Sequence, residues 1–147
     1  MRVSVLGGPY AGIGREILRR RAERMLSALG LGEVELSLAV VNDAAMRRLN
    51  RCYRRQDRPT DVLAFAMAEG EPAPATRPEL LGDVVISADT ARRQARAANH
   101  PLRDEITLLL AHGLLHLLGH DHQSRRAERD MATCARDLVR AALGRNA

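Results

Sequence analysis

The segment "LRDEITLLLAHGLLHLLGHDH", residues 102–122, constrains the fold more than any other stretch of the chain. Pro101 stands where a helix can begin, because its fixed φ suits a helix start. Gly119 stands where that helix can end, because glycine accepts the left-handed backbone of a helix stop. Between them lie Leu108, Leu109, Leu110, Leu114, Leu115 and Leu117. A helix this apolar is expected to be half buried, so the rest of the chain must supply layers to receive it. The same stretch carries His112, His116, His120 and His122, four of the five histidines in the protein.

His112 and His116 are four residues apart, so on a helix they project from one face about one turn apart. Two readings are open for such a pair: core imidazoles satisfied by neighbouring polar groups, or two ligands of one ion. Gly119 follows three residues after His116 and His122 three after that. A reversal at the glycine can bring a third imidazole back over the first two. The spacing H-x3-H-x2-G-x2-H matches the zinc-protease motif H-E-x-x-H-x-x-G-x-x-H without its glutamate. Three nitrogen ligands leave a tetrahedral ion one open position, which suits catalysis better than scaffolding. The expectation is a metalloprotease-like zinc helix with His112, His116 and His122 as ligands and one Zn2+ per chain. Three imidazoles also accept other divalent first-row ions.

Gly113 occupies the place of the protease's general base, which disfavours a peptidase, since amide hydrolysis needs a proton carrier beside the metal. Phosphodiester cleavage asks less of a base if a metal activates water and an arginine holds the phosphate. Glu105, seven residues before His112, either orients water from the same helical face or is a solvated first-turn acid. Asp121 either accepts from a ligand imidazole or caps the next helix. His120 is read as a spare polar group or an exposed one, not as a ligand.

Elsewhere the pattern alternates between strands and helices. "RVSVL" (2–6), "VELSLAVV" (34–41), "DVLAFAM" (61–67) and "LGDVVIS" (81–87) read as strands. Apolar spacing predicts helices over 13–29, from the Asn42-Asp43 cap to Tyr53, from an Asp89 cap to Asn99, and from a Ser124 cap to Gly144, with Ala127, Met131, Cys134, Leu138 and Val139 inward. The proline- and glutamate-rich residues 68–80 read as a mobile loop. No internal repeat appears. The fold expected is α+β: one domain over 1–147, with a small mixed sheet of about four strands packed by about five helices.

All 23 basic residues are arginine and the formal charge is +5, which is compatible with a nucleic-acid partner without requiring one. Tyr10, Tyr53 and Phe65 are the only aromatic residues, too few for a platform that stacks bases, so any RNA should be held by its phosphates. Cys52 and Cys134 have no motif partner and read as small buried residues of a reducing compartment. No stretch has the length of a membrane span or the form of a secretory leader, so the expected location is the cytoplasm, with no membrane partner.

A second signature precedes the third strand. "LNRCYRRQDRPTDVLAF", residues 49–65, meets the pattern L-N-x-x-Y-R-x-x-D-x-P-T-[DN]-V-L-[SA]-F at every specified position, with Leu49, Asn50, Tyr53, Arg54, Asp57, Pro59, Thr60 and Asp61 leading into the strand. Together with "LLGDVVIS" and "HGLLHLLGHDH", it resembles the bacterial YbeY family of rRNA-maturation endoribonucleases over about residues 34–143. The resemblance implies a single-domain, metal-dependent hydrolase with zinc on His112, His116 and His122 and a functionally required Arg54. It also implies cleavage of single-stranded rRNA in maturation of the small-subunit rRNA 3′ end, quality control of the ribosome, and the small subunit and its assembly factors as partners. A zinc-containing assembly factor without catalysis is the non-enzyme alternative. One departure stands beside a ligand: the family usually has tyrosine where this chain has His120.

Overall fold

The computed structural model describes residues 1–10, 12–66, 79–120 and 124–144. Its elements run β1 (Arg2–Gly7), α1 (Arg15–Ala28), β2 (Val34–Val41), α2 (Asp43–Arg54), β3 (Val62–Ala66), β4 (Glu79–Ser87), α3 (Ala88–Ala98), α4 (Leu102–Leu117) and α5 (Arg125–Ala142). The four strands form one sheet in the order β1-β2-β4-β3. β1 and β4 lie parallel to β2, and β3 pairs antiparallel with β4 at the edge. The α+β architecture with a mixed four-stranded sheet and five helices is the one the sequence pattern predicts.

Strict alternation makes β2 a two-sided strand. Val34, Leu36, Leu38 and Val40 are buried on one face, while the residues between them are half-buried on the other. The first face meets the main core. Leu18, Ala22, Met25 and Leu26 of α1 join it, as do Met131, Ala135, Leu138 and Ala142 of α5, both sets at helical spacing. The second face is covered by α2, whose Met46 packs with Leu63 and Val85 in a separate, smaller cluster.

α4 is buried more deeply than its sequence suggests. Ile106, Thr107, Leu109, Leu110, Ala111, Gly113, Leu114, Leu115 and Leu117 are all buried, which leaves no wide solvent face. The helix lies between the sheet and the other helices, touching β3 and β4 beneath it and α1, α3 and α5 around it. Each fully buried leucine contributes about 1.5–3 kcal/mol, so α4 is the element around which the rest condenses. Arg21 fastens α1 to it by donating from Nη1 to Thr107 Oγ1 at 2.6 Å.

Several boundaries differ from the sequence-based expectation. β4 begins two residues earlier, at Glu79, within the predicted 68–80 loop; residues 68–78 lie outside the described residues. α3 is capped by Ser87, whose Oγ accepts from the Thr90 N–H, rather than by Asp89. Asp89 instead accepts from the backbone N–H of Asp43, joining the starts of α2 and α3. The Asn42 and Ser124 caps are formed as expected, accepting from Ala45 and Ala127. Cys52 is exposed on α2, not buried, and Cys134 is half-buried; both are free thiols. Among the described residues no helix is long and apolar enough to cross a membrane.

Candidate active site

Two segments distant in sequence meet at the C-terminal end of α4. A cavity of about 300 Å³ is lined there by His116 from α4, by Asn50 and Arg54 from the last turns of α2, and by Gln56, Arg58 and Thr60 from the loop leading into β3. Its walls also include apolar atoms of the β3 strand. The α2 end of this wall exists because Arg55, the helix C-cap, adopts a left-handed conformation with φ of 55° and turns the chain back.

Asn50 makes that turn rigid. It is buried, and a buried amide needs hydrogen-bond partners. Its side-chain Nδ2 donates to the Arg58 carbonyl at 2.8 Å, and its backbone carbonyl accepts from the Gln56 N–H at 3.3 Å. On the outer side Arg47 donates through Nε and Nη2 to the two oxygens of Asp57, at 2.8 and 3.0 Å. Those hydrogen bonds hold the Asp57 carboxyl below its usual pKa range. The far end of the loop is tied by Asp61, whose Oδ1 accepts from the Val62 N–H and whose carbonyl accepts from the Ser87 N–H. Arg54 itself is exposed.

On α4, His112 and His116 are both half-buried. Past His116 the helix closes at Leu118, and Gly119 takes a φ of 93°. The reversal brings the His120 carbonyl onto the His116 ring, where Nδ1 lies 3.1 Å from the oxygen. A carbonyl oxygen only accepts, so Nδ1 carries a proton, and in the neutral ring the lone pair resides on Nε2. This is the arrangement found in metal-ligating histidines, whose second ring nitrogen is held by a carbonyl or carboxylate. His120 thus acts through its backbone. His122 and Asp121 lie outside the described residues, and among the described residues no three potential metal ligands converge. The donor chemistry that is described, an imidazole whose neutral form keeps its lone pair on Nε2, fits zinc or a similar divalent ion.

Glu105 falls outside this constellation. It is buried rather than solvated, and its Oε2 lies 2.7 Å from His100 Nε2 at the start of α4. Seven residues of helical rise put it about 10 Å along the axis from His112. A role in orienting water at the histidines is not supported by that placement. Gly113, by contrast, has a packing reason: a Cβ there would meet Val84 Cγ1 at 2.5 Å. The position of the zinc-protease glutamate is occupied by the sheet. Gln56, which no motif singled out, lines the cavity, and only its place in the arginine-rich turn could have pointed to it.

A family model described as endoribonuclease YbeY matches residues 13–142. The chain belongs to the YbeY family. The Geobacter metallireducens protein named endoribonuclease YbeY is 50% identical over 111 residues, covering 76% of this chain and 73% of that one. Its namesake from Aquifex aeolicus is 48% identical over 111 residues, 76% of this chain and 71% of that protein. The solution structure of TM1509 from Thermotoga maritima shares the fold, with a TM-score of 0.65 and 25% identity over 97% of this chain and 89% of that one. The YbeY match takes in both segments that build the cavity.

Proposed function

We propose that this YbeY-family protein is a metal-dependent endoribonuclease that cuts single-stranded RNA. One observation carries the reading: Arg54 and His116, from different helices, line a single cavity. In this proposal His112, His116 and His122 hold one zinc ion and Arg54 holds the scissile phosphate. A bound zinc would supply a Lewis acid that lowers the pKa of water. The guanidinium of Arg54 grips the phosphate through a planar fork and stabilises the charge that builds on it during cleavage. The His120 carbonyl keeps the lone pair of the neutral His116 ring on Nε2, and Val62, Leu63 and Ala64 of β3 form the other side of the cavity. Gly113 disfavours peptide hydrolysis, because no carboxylate can stand beside the histidines at that position without displacing Val84.

The substrate we assign is the 3′ end of small-subunit rRNA in the cytoplasm, with the small subunit and its assembly factors as partners and ribosome quality control as the wider setting. Support for this comes from the names of the relatives and from the family resemblance in the two motifs.

Metal content and RNA cleavage measured together for wild type, His116→Ala and Arg54→Ala test the proposal. The wild type should hold one divalent ion and cut single-stranded RNA, and His116→Ala should lose both. Arg54→Ala should fold and keep the ion while losing about 100-fold or more in rate. An Arg54→Ala protein that cuts at the parental rate would refute the assignment. A wild type that needs the ion to fold yet cuts no RNA would leave a ribosome-docking protein as the better description.

A further inference from the structure

The cavity beside His116 is lined by two guanidinium groups, Arg54 and Arg58, and neither has a carboxylate partner among the described residues. Arg47, on the outer side of the same turn, is paired with Asp57. Arg58 is treated differently. Its Nε and Nη2 donate to the single oxygen Oε1 of Gln56, at 3.1 and 2.9 Å. An uncharged acceptor orients the guanidinium without cancelling its charge. The Nη1 edge is left to face an anion.

The backbone under this pair is equally well held. The Gln56 N–H and the Arg58 carbonyl both bond to Asn50, which is 2% exposed, and the residue between them is tied by Arg47. Pro59 follows and restricts the backbone of Arg58. Ordering a free surface arginine costs side-chain entropy, and the hydrogen bonds to Gln56 remove part of that cost before any ligand arrives.

We infer that Arg58, oriented by Gln56, is a substrate-binding residue that grips the phosphate next to the one held by Arg54, so that the RNA strand crosses the cavity along the 54–60 turn. This rests on the endoribonuclease reading above. The ligand class is a phosphodiester backbone, because two guanidinium groups without carboxylate partners among the described residues line one cavity, and arginine contacts to phosphate read no base.

The test compares wild type, Arg58→Gln, Arg58→Lys and Gln56→Ala. Binding of a fluorescent twelve-nucleotide single-stranded DNA is followed by anisotropy over a salt series, and kcat and KM are measured on RNA of the same sequence. Arg58→Gln should weaken binding about three- to tenfold and flatten the slope of log affinity against log salt by about 0.7, the value for one phosphate contact on a single strand. KM should rise with kcat little changed. Arg58→Lys should keep the slope and lose part of the affinity, and Gln56→Ala should lose affinity with the slope intact. A purely structural role for Arg58 would lower the melting temperature and leave the slope alone. Arg58→Gln binding with the wild-type affinity and slope, while RNA is still cut, overturns this inference alone. A wild type that neither binds the strand nor cuts RNA overturns it together with the reading on which it rests.

Discussion

Gly113 lies so close to Val84 that a Cβ built on it would stand 2.5 Å from Val84 Cγ1, 3.1 Å from Cγ2 and 3.3 Å from Val62 Cγ2. Helix α4 is seated on β3 and β4 at the one turn that separates His112 from His116. The glycine therefore sets how deep the histidine helix sinks into the sheet, and with it where His116 meets the cavity wall.

Gly113→Ala tests this directly. In an open helix the change would stabilise by about 1 kcal/mol through propensity. Here overpacking should reverse the sign and destabilise by about 1–3 kcal/mol, seen as a lower urea midpoint, and should reduce metal content. A midpoint at or above the wild-type value would show that α4 can lift from the sheet without penalty.

Changing the His120 side chain should leave the metal site intact. Its recorded link to His116 is the backbone carbonyl, which every residue supplies. His120→Tyr, which restores the residue usual in the family, and His120→Ala should both keep metal stoichiometry at the wild-type level. Loss of the ion from either variant by elemental analysis would mean that the imidazole itself takes part.

Asp43 predicts a pH dependence of stability. Burial resists ionisation of its carboxyl, yet hydrogen bonds from Ser87, Thr90 and Arg93 outweigh that and leave the pKa below its ordinary value. The Oδ1 atom accepts from Ser87 Oγ at 2.6 Å and Thr90 Oγ1 at 2.7 Å, and Arg93 lies 2.8 Å from Oδ2. A carboxyl depressed in the folded state adds stability above its unfolded pKa of about 3.9, and that stability is lost as pH falls through the folded value. Asp43→Ala should cost about 2 kcal/mol at pH 7, the scale of a charged hydrogen bond. The gap to wild type should shrink below about pH 4. Denaturant titrations at pH 7, 5 and 3 measure it, and a gap constant across that range would contradict the assignment.

Some of this was legible residue by residue. Asn42 and Ser124 cap α2 and α5 because a cap needs only its own side chain and an N–H three residues on. The alternation of Val34, Leu36, Leu38 and Val40 revealed β2 because the pleat has a period of two. The 49–65 and 112–122 motifs carry the family resemblance, and the family match covers residues 13–142. Asp89 does not cap α3, because Ser87 offers the same chemistry two residues earlier and Asp89 accepts from the N–H of Asp43 instead.

Local pattern thus suffices for the elements, most of the caps, the histidine spacing on one helical face and the arginine that precedes β3. It takes the packed fold to bring Arg54 and His116 to one cavity, to pair Glu105 with His100, to turn Cys52 outward and to make Gly113 leave room for Val84. The physical reason is range. Caps and periodicity are settled within a few residues of backbone, whereas these pairings depend on a strand order, β1-β2-β4-β3, and on a helix-to-sheet distance that no local pattern encodes.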